Sequence, residues 1–259
     1  MANSHHIDTG MRQNRTVVLL GLIGITLLAW TYTVHLAGNM GGMNMAMPRT
    51  QDWGALELVL LFVMWAFMMV AMMVPSASPM VLMYTVTLQR REQRQGGLVQ
   101  PGLFVLGYLA IWTGFSLLAT LAQWGLHAAA LLSPMAVSTS PVLDGVLLTA
   151  AGAFQWSPLK HACLRRCRSP LGFLMTEWRE GPGGAFIMGF RHGVFCVGCC
   201  WALMALLFVT GVMNLLWISA IAGFILVEKV IPAGEYVARL AGLLLIGLGI
   251  SMVADSINA

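Results

Sequence analysis

Charged residues are scarce in this sequence. Asp, Glu, Lys and Arg make up 9% of the 259 residues, whereas hydrophobic residues make up 58%. An ordinary soluble domain carries about 25% charged residues, so the composition excludes that class. The chain also lacks a Gly-rich phosphate loop, a Gly-x-Ser-x-Gly nucleophile elbow and a His-Glu-x-x-His zinc helix. The sequence therefore has none of these usual motifs for nucleotide binding or hydrolytic catalysis.

Long apolar runs stand where a soluble protein would have charge. Runs of about 20 residues, the length that crosses a bilayer as a helix, recur between short polar breaks. We therefore expect an all-α polytopic transmembrane bundle that forms a single domain over residues 1–259. The predicted spans are Thr16–Ala37, Gly54–Tyr84, Leu103–Trp124, Val142–Trp156, Phe190–Val212, Leu215–Val230 and Val237–Val253.

Basic residues set the predicted orientation. With seven alternating spans, Arg12 and Arg15, the stretch 90–94 and the segment 160–179 all fall on one side. The positive-inside rule makes that side cytoplasmic, so we predict a cytoplasmic N-terminus and an external C-terminus in a bacterial plasma (inner) membrane. Residues 1–53 then form an anchor span plus a Met-rich external loop, and residues 54–253 form the helical core. The net charge of +4 reflects this topology and does not indicate a nucleic-acid partner.

All five cysteines fall in two clusters. Cys163 and Cys167 lie in a predicted polar loop at 157–184, and the others follow in an apolar segment as Cys196, Cys199 and Cys200. Residues at i, i+3 and i+4 share a helix face, so the three later thiols can converge, and the loop pair lies on the same predicted side. In a reducing cytosol, clustered thiols favour metal ligation or redox work over stable disulfides. The alternative is that they are small packing residues.

Methionine is abundant, with 19 residues. Met64, Met68 and Met72 follow the spacing of one helix face, whereas Met43 and Met45 lie with Met40 and Met47 in the predicted external loop 38–53. Thioethers are uncharged and select soft ions such as Cu(I). These methionines are therefore candidate metal ligands, although a methionine stripe also serves as adaptable core filler.

Two further groups of polar residues border the cysteine clusters. His192 precedes the second cluster and is a candidate ligand, with an interfacial histidine as the alternative. Charges near membrane depth are costly, and we predict that four of them form an ionic cluster fixing the last two spans, with Glu235 and Arg239 paired at i, i+4. The four are Glu228, Lys229, Glu235 and Arg239.

Three motifs in order carry a family resemblance. They are Trp65-Ala66-Phe67-Met68-Met69-Val70-Ala71-Met72-Met73-Val74-Pro75, then Gln155-Trp156-Ser157-Pro158-Leu159-Lys160 running into Cys163-Leu164-x-x-Cys167-Arg168-Ser169-Pro170, then Gly193-x-x-Cys196-x-Gly198-Cys199-Cys200-Trp201-Ala202-Leu203-Met204. The chain resembles, over about 54–253, a bacterial domain-of-unknown-function family described as predicted metal-binding integral membrane proteins. The resemblance implies a membrane-embedded metal site.

The function we expect is binding of a soft metal ion, Cu(I), for uptake or for delivery to a partner. Zinc is the alternative metal. A different reading is a non-catalytic accessory subunit of a larger membrane complex, with a structural metal at the cysteines. A membrane thiol oxidoreductase is the third, disfavoured because the cysteines are predicted to face the reducing side.

Overall fold

The chain is helical throughout the part that the structure describes, which confirms the all-α class. The structure is a computed structural model, and it describes residues 2–42, 54–91, 97–132 and 138–258. Within these ranges there is no strand. The helices are α1 (Ala2–Gly42), α2 (Ala55–Arg91), α3 (Val99–Ala128), α4 (Pro141–Phe154), α5 (Pro158–Arg168), α6 (Pro170–Glu177), α7 (Gly181–Ala205), α8 (Leu207–Thr210), α9 (Leu215–Val230) and α10 (Gly234–Asn258).

Five stretches among the described residues are long and apolar enough to cross a membrane. They are Gln13–Asn39, Ala55–Arg91, Val99–Ala128, Gly181–Thr210 and Gly234–Ile257. The two other predicted spans are present as shorter helices, α4 with 14 residues and α9 with 16. At 1.5 Å per residue they reach roughly 21 and 24 Å, less than the roughly 30 Å of bilayer hydrocarbon.

The predicted polar loop at 157–184 is the clearest error in the sequence-based assignment. It contains two helices, α5 and α6, each begun by a serine cap followed by proline. The Ser157 hydroxyl accepts from the Lys160 amide and the Ser169 hydroxyl accepts from the Gly172 amide. Serine at the N-cap and proline at the first helical position are favoured for known physical reasons. The cysteine pair 163 and 167 therefore lies on a helix.

Glycines allow two helix pairs to pack backbone to backbone. In the α3–α7 pair, a Cβ on Gly107 would clash with the Phe186 carbonyl, and one on Gly189 would clash with the Phe104 carbonyl. In the α4–α10 pair, Gly145 faces Gly249 and Gly152 faces Gly242 in the same manner. Small residues at helix crossings are typical of membrane bundles. The first pair matters most for function, because α7 carries three of the cysteines.

Helix α2 lines the centre of the molecule. Its buried residues include Met64, Met68, Met69, Met72 and Met73, and these pack in one apolar core with residues of α3, α5, α7 and α9. Pro75 and Pro79 lie inside α2, where each removes an amide donor from the helix ladder. The methionine-rich half of α2 thus faces the interior just before the first proline.

The basic ends of several helices meet at one end of the bundle. The Arg91 guanidinium at the end of α2 lies 4.6 Å from the Trp178 ring that follows α6. Arg168, at the end of α5, donates to the carbonyls of Ile231 and Pro232 after α9 at 2.8 and 2.7 Å. These contacts join the end of α2 to the residue after α6 and the end of α5 to the residues after α9.

Candidate metal centre

The two cysteine clusters meet in the structure, as the sequence analysis predicted. Helix α5 packs on α7, and Cys167, Cys196, Cys199 and Cys200 are all buried in the same apolar core. Cys163 is half-buried at the edge of this core, close enough to α7 that a Cβ on Gly198 would lie 2.8 Å from its sulfur. All five thiols are free. The separation of about 30 residues in sequence is closed by the pairing of these two helices.

Cys196 is the most polar point of the cluster. Lys229 Nζ of α9 lies 2.9 Å from Cys196 Sγ, and the Tyr108 hydroxyl of α3 lies 3.1 Å from the same sulfur. Lys229 is 8% exposed, so its ammonium group must find partners inside the protein. A buried cation and a hydroxyl around one sulfur form a setting that favours its thiolate form.

These contacts belong to a closed ring of hydrogen bonds. Lys229 Nζ also donates to Ser76 Oγ at 3.0 Å, and Ser76 Oγ donates to the Met73 carbonyl at 2.9 Å. The Tyr108 hydroxyl lies 3.1 Å from the same Met73 carbonyl and also contacts Cys196 Sγ, which closes the ring. Four helices, α2, α3, α7 and α9, are therefore tied together at the cysteine sulfur. Networks of this kind fix geometry when every member is satisfied.

The neighbouring thiols turn toward backbone and toward each other. Cys199 and Cys200 donate to the Cys196 carbonyl at 3.1 and 2.9 Å. Hydrogen bonds to Cys196 and Cys199, together with burial, raise the pKa of Cys167 on α5 well above its usual range. Burial also raises the pKa of Cys163. Cys167 is therefore held as a protonated thiol beside Cys196 and Cys199.

A preformed metal-binding group is not among the features that the structure describes. Within the described ranges, no three His, Cys, Asp or Glu side chains are arranged to hold an ion. The hydrogen bonds explain this, because Cys199 and Cys200 point at a carbonyl oxygen. A thiol must lose its proton before it can ligate a metal. To bind a metal, the side chains of Cys199 and Cys200 would have to rotate away from the Cys196 carbonyl. The buried cluster already holds these thiols near one another.

The candidate methionines on α2 lie in the same core as the cysteines. Met64, Met68 and Met72 are 7%, 0% and 1% exposed, and two hydrogen bonds through the Tyr108 hydroxyl link the Met73 carbonyl to Cys196. Met40 falls within α1, which continues past the predicted loop boundary to Gly42. Met43 and Met45, with Met47, lie outside the described residues.

His192 lies one helical turn before Cys196 but faces aromatic rings. It is 2% exposed, and its ring centroid is 5.7 Å from that of Tyr108 and 5.5 Å from that of Phe173. Its Nδ1 atom has no hydrogen-bond partner among the residues described. A buried imidazole in this position is a core residue beside the thiols, and its neighbour Tyr108 is the residue that contacts Cys196.

The predicted ionic cluster at the last two spans is wrong in its pairing. Glu228 Oε1 lies 2.6 Å from Lys160 Nζ of α5, and both side chains are fully buried. Lys160 also donates to the Gln155 side chain. Glu235 is nearest Arg168, at 3.9 Å, and Arg239 lies over the Trp156 ring at 5.8 Å. The charges of α9 thus point into the bundle toward α5 and α7.

Sequence reasoning missed three polar residues of this site: Ser76, Tyr108 and Lys229. The first two carry no local signal, since a serine or tyrosine in an apolar run fits many environments. Lys229 did carry one, because it sits beside Glu228 at the end of an apolar helix and a lysine at membrane depth calls for a partner. A thiol was not considered as that partner.

The family-model comparison agrees with these observations. A model described as PpoB2, copper chaperone, matches residues 62–252, a range that contains all three sequence motifs and both cysteine clusters. No curated protein and no solved structure matches the chain. The match covers more than half of the 259 residues and confirms the resemblance to a metal-related family. The chain belongs to the PpoB2 copper chaperone family.

Proposed function

We propose that this chain binds Cu(I) within its helical bundle and hands the ion to a partner protein. One observation carries the proposal: Cys167, Cys196, Cys199 and Cys200 are buried together against the methionine-lined face of α2. Thiolate and thioether sulfur are the ligand types that select Cu(I). Membership of a copper chaperone family points to the same ion.

Cys196 is the ligand that we assign first. Lys229 already places a positive charge beside its sulfur, so Cys196 needs the least preparation for an incoming cation. Cys199 and Cys200 follow when their thiols turn from the Cys196 carbonyl and release protons. These rotations leave the backbone of α7 unchanged, because the Cys196 carbonyl keeps its hydrogen bond within the helix.

Cys167 and Cys163 give the site an edge through which the ion can leave. Cys167 is buried beside Cys196 and Cys199, whereas Cys163 is half-buried on the same face of α5. Thiolate exchange between neighbouring sulfurs moves a soft ion without releasing it to water. We infer that α5 is the face at which a partner accepts copper.

Uptake through the bundle is a second candidate, and the methionine series on α2 favours it. Met64, Met68 and Met72 are buried on one face and cover about 12 Å of helix axis at 1.5 Å per residue. The series ends beside Met73, whose carbonyl joins the Cys196 network. A soft ion entering near the start of α2 would meet thioethers along the way to the thiols.

The setting that we propose is the inner membrane, with seven spans and the cysteines toward the cytoplasm. Five stretches are long enough to span a membrane. The shorter helices α4 and α9 would be the sixth and seventh spans, with protein and not lipid around their ends. The joined basic ends of α2, α5 and α6 support one common side for these segments. Reporter fusions within 92–96 and after 258 test this arrangement, since the first must report cytoplasm and the second the exterior. The opposite result would turn the cysteines to the oxidising side and favour disulfide chemistry.

Metal analysis of the full chain purified in mild detergent under reducing conditions tests the copper proposal. We expect close to one copper per chain in the wild type. Cys196→Ser should weaken copper binding at least tenfold, which is a change of about 1.4 kcal/mol or more in the binding free energy. Met175→Leu is the matched control, because Met175 is a methionine that is 82% exposed on α6. Zinc in place of copper would favour an accessory subunit with a structural metal, and a titratable disulfide without metal would favour a thiol oxidoreductase.

A further inference from the structure

A second polar site opens on the side of α5 opposite the cysteines. It is a cavity of about 450 Å³ where α4 ends and where α5 and α10 begin, and its lining residues are Trp156, Pro158, His161, Arg165, Glu235 and Arg239. His161 and Arg165 are spaced i, i+4, as are Cys163 and Cys167 two residues later. At 100° per residue the two pairs occupy opposite faces of the helix. The cavity is therefore separate from the proposed copper site.

The cavity carries a surplus of positive charge. Arg165 and Arg239 line it together with a single carboxylate, Glu235. That carboxylate lies 3.9 Å from Arg168, a cation outside the cavity lining. The nearby Lys160 is already paired with Glu228 and adds nothing to the balance. The guanidinium groups of Arg165 and Arg239 thus face the cavity. Its single carboxylate, that of Glu235, also lies near the guanidinium group of Arg168.

Two nitrogen atoms of the lining residues are buried and unsatisfied. Arg239 Nε and His161 Nδ1 have no hydrogen-bond partner in the part of the chain that the structure describes. Buried polar atoms without partners are uncommon and costly. The Arg239 guanidinium is steadied over the Trp156 ring at 5.8 Å. The imidazole ring of His161 carries at least one N–H donor in either protonation state.

The cavity lies beside the start of a helix that is long and apolar enough to cross a membrane. Helix α10, one of the five helices able to span a membrane, begins at Gly234, so Glu235 and Arg239 lie within its first turns. Leu159, Tyr236 and Leu240, each next in sequence to a lining residue, are 59%, 71% and 63% exposed. Aromatic and apolar side chains beside arginine at a helix end are typical of the membrane interface.

We propose that this cavity binds a phosphate group, held by Arg165 and Arg239 and by an N–H of His161. Guanidinium groups match the oxygen geometry of phosphate and bind it through paired hydrogen bonds. Basic pockets between membrane helices are suited to anionic headgroups. The group comes either from an anionic phospholipid, whose acyl chains the apolar rim would accept, or from a soluble phosphate.

Binding to the full chain in a neutral detergent tests the proposal and separates the two sources. The wild type is delipidated and titrated with phosphatidylglycerol in mixed micelles, with phosphatidylcholine as the neutral-lipid comparison, and separately with inorganic phosphate. Arg165→Gln and Arg239→Gln are the test variants, and Arg165 is exposed, so its replacement leaves the fold intact. Arg90→Gln is the matched control, because Arg90 is an exposed arginine at the end of α2.

We expect phosphatidylglycerol to bind the wild type and Arg90→Gln at least tenfold more tightly than either test variant, with little binding of phosphatidylcholine. Inorganic phosphate binding with the same loss in the two variants, and no preference for phosphatidylglycerol, assigns the site to a soluble phosphate. Equal binding by all four proteins in both titrations, or none by the wild type, overturns the proposal.

Discussion

Lys229 Nζ lies 2.9 Å from Cys196 Sγ in the interior of the bundle. A cation beside a thiol favours the thiolate, which is the form that binds metal. The same contact places a positive charge where a copper ion would add another. In the proposed copper site, Lys229 would therefore prepare Cys196 for an incoming metal, and its ammonium group would move aside when the ion arrives.

Replacing Lys229 by Met tests this role. Lys229→Met removes the charge and keeps an unbranched apolar chain of similar length, so Cys196 loses the cation that stabilises its thiolate. We expect Cu(I) affinity, measured by competition with a soluble chelator, to fall at least tenfold, or about 1.4 kcal/mol. Ser76→Ala is the control, because it removes one hydrogen bond of Lys229 and leaves the cation in place. Equal affinity in Lys229→Met and wild type would show that the lysine is only a structural partner.

The two cysteines of α5 should contribute unequally. Cys167 is buried and hydrogen-bonded to Cys196 and Cys199, whereas Cys163 is half-buried beside Gly198. We expect Cys167→Ser to reduce copper retention as much as Cys196→Ser does, at least tenfold. Cys163→Ser should lower retention less and slow transfer to an added thiol chelator. Metal content after dialysis and stopped-flow transfer rates measure the two effects, and equal loss in both variants would place Cys163 in the resting site.

The buried ion pair between Lys160 and Glu228 stabilises the position of α5 against α9. Both side chains are fully buried, 0% and 1% exposed, so removing one partner leaves a charge without compensation. We expect Lys160→Met to lower the free energy of unfolding by about 3–5 kcal/mol. The double variant Lys160→Met with Glu228→Leu should recover most of that loss. Unfolding in detergent, followed by helix content, gives the cycle, and additive losses would deny the coupling.

The sequence was sufficient to predict the long helices and the meeting of the thiols, and the reasons are local. Apolar run length identified the major helices, and i, i+4 spacing put Cys196 and Cys200 on one face. Helices α5 and α6 were missed although Ser157-Pro158 and Ser169-Pro170 are good helix starts, because the arginines of that segment favoured a loop assignment. The partners of Lys229 and Glu228 depend on how α9 crosses α5 and α7. No local pattern in the sequence encodes that crossing.

The close approach of α3 and α7 sets the distance between Tyr108 and Cys196. Gly189 permits it, because a Cβ there would enter the Phe104 carbonyl. We expect Gly189→Ala to cost about 1–3 kcal/mol of stability, as overpacking does, and to weaken copper binding by separating the hydroxyl from the sulfur. Gly114→Ala, on the partner helix α3, is the control, since a Cβ at Gly114 meets nothing within 4 Å. Thermal unfolding and chelator competition on both variants check the prediction, and matching behaviour of the two alanines would contradict it.

The methionine series on α2 separates transfer through the bundle from static binding. Changing Met64, Met68 and Met72 together to Leu keeps the apolar volume, and such swaps usually cost less than about 1.5 kcal/mol each. The thiols remain, so copper bound at equilibrium should stay near the wild-type level. The thioethers are lost, so uptake into vesicles that contain the protein should slow severalfold if they carry the ion.

The contrast between equilibrium and rate makes this experiment decisive. Met175→Leu on exposed α6 controls for the chemical change, and thermal unfolding controls for the fold. Slower uptake with unchanged copper content supports a path along α2 that ends at Cys196. Unchanged uptake would leave the methionines as core filler, and loss of bound copper would make one of them a ligand beside the cysteines. Absence of uptake by the wild type in every gradient would restrict the chain to holding copper for a partner, with α5 as the face of transfer.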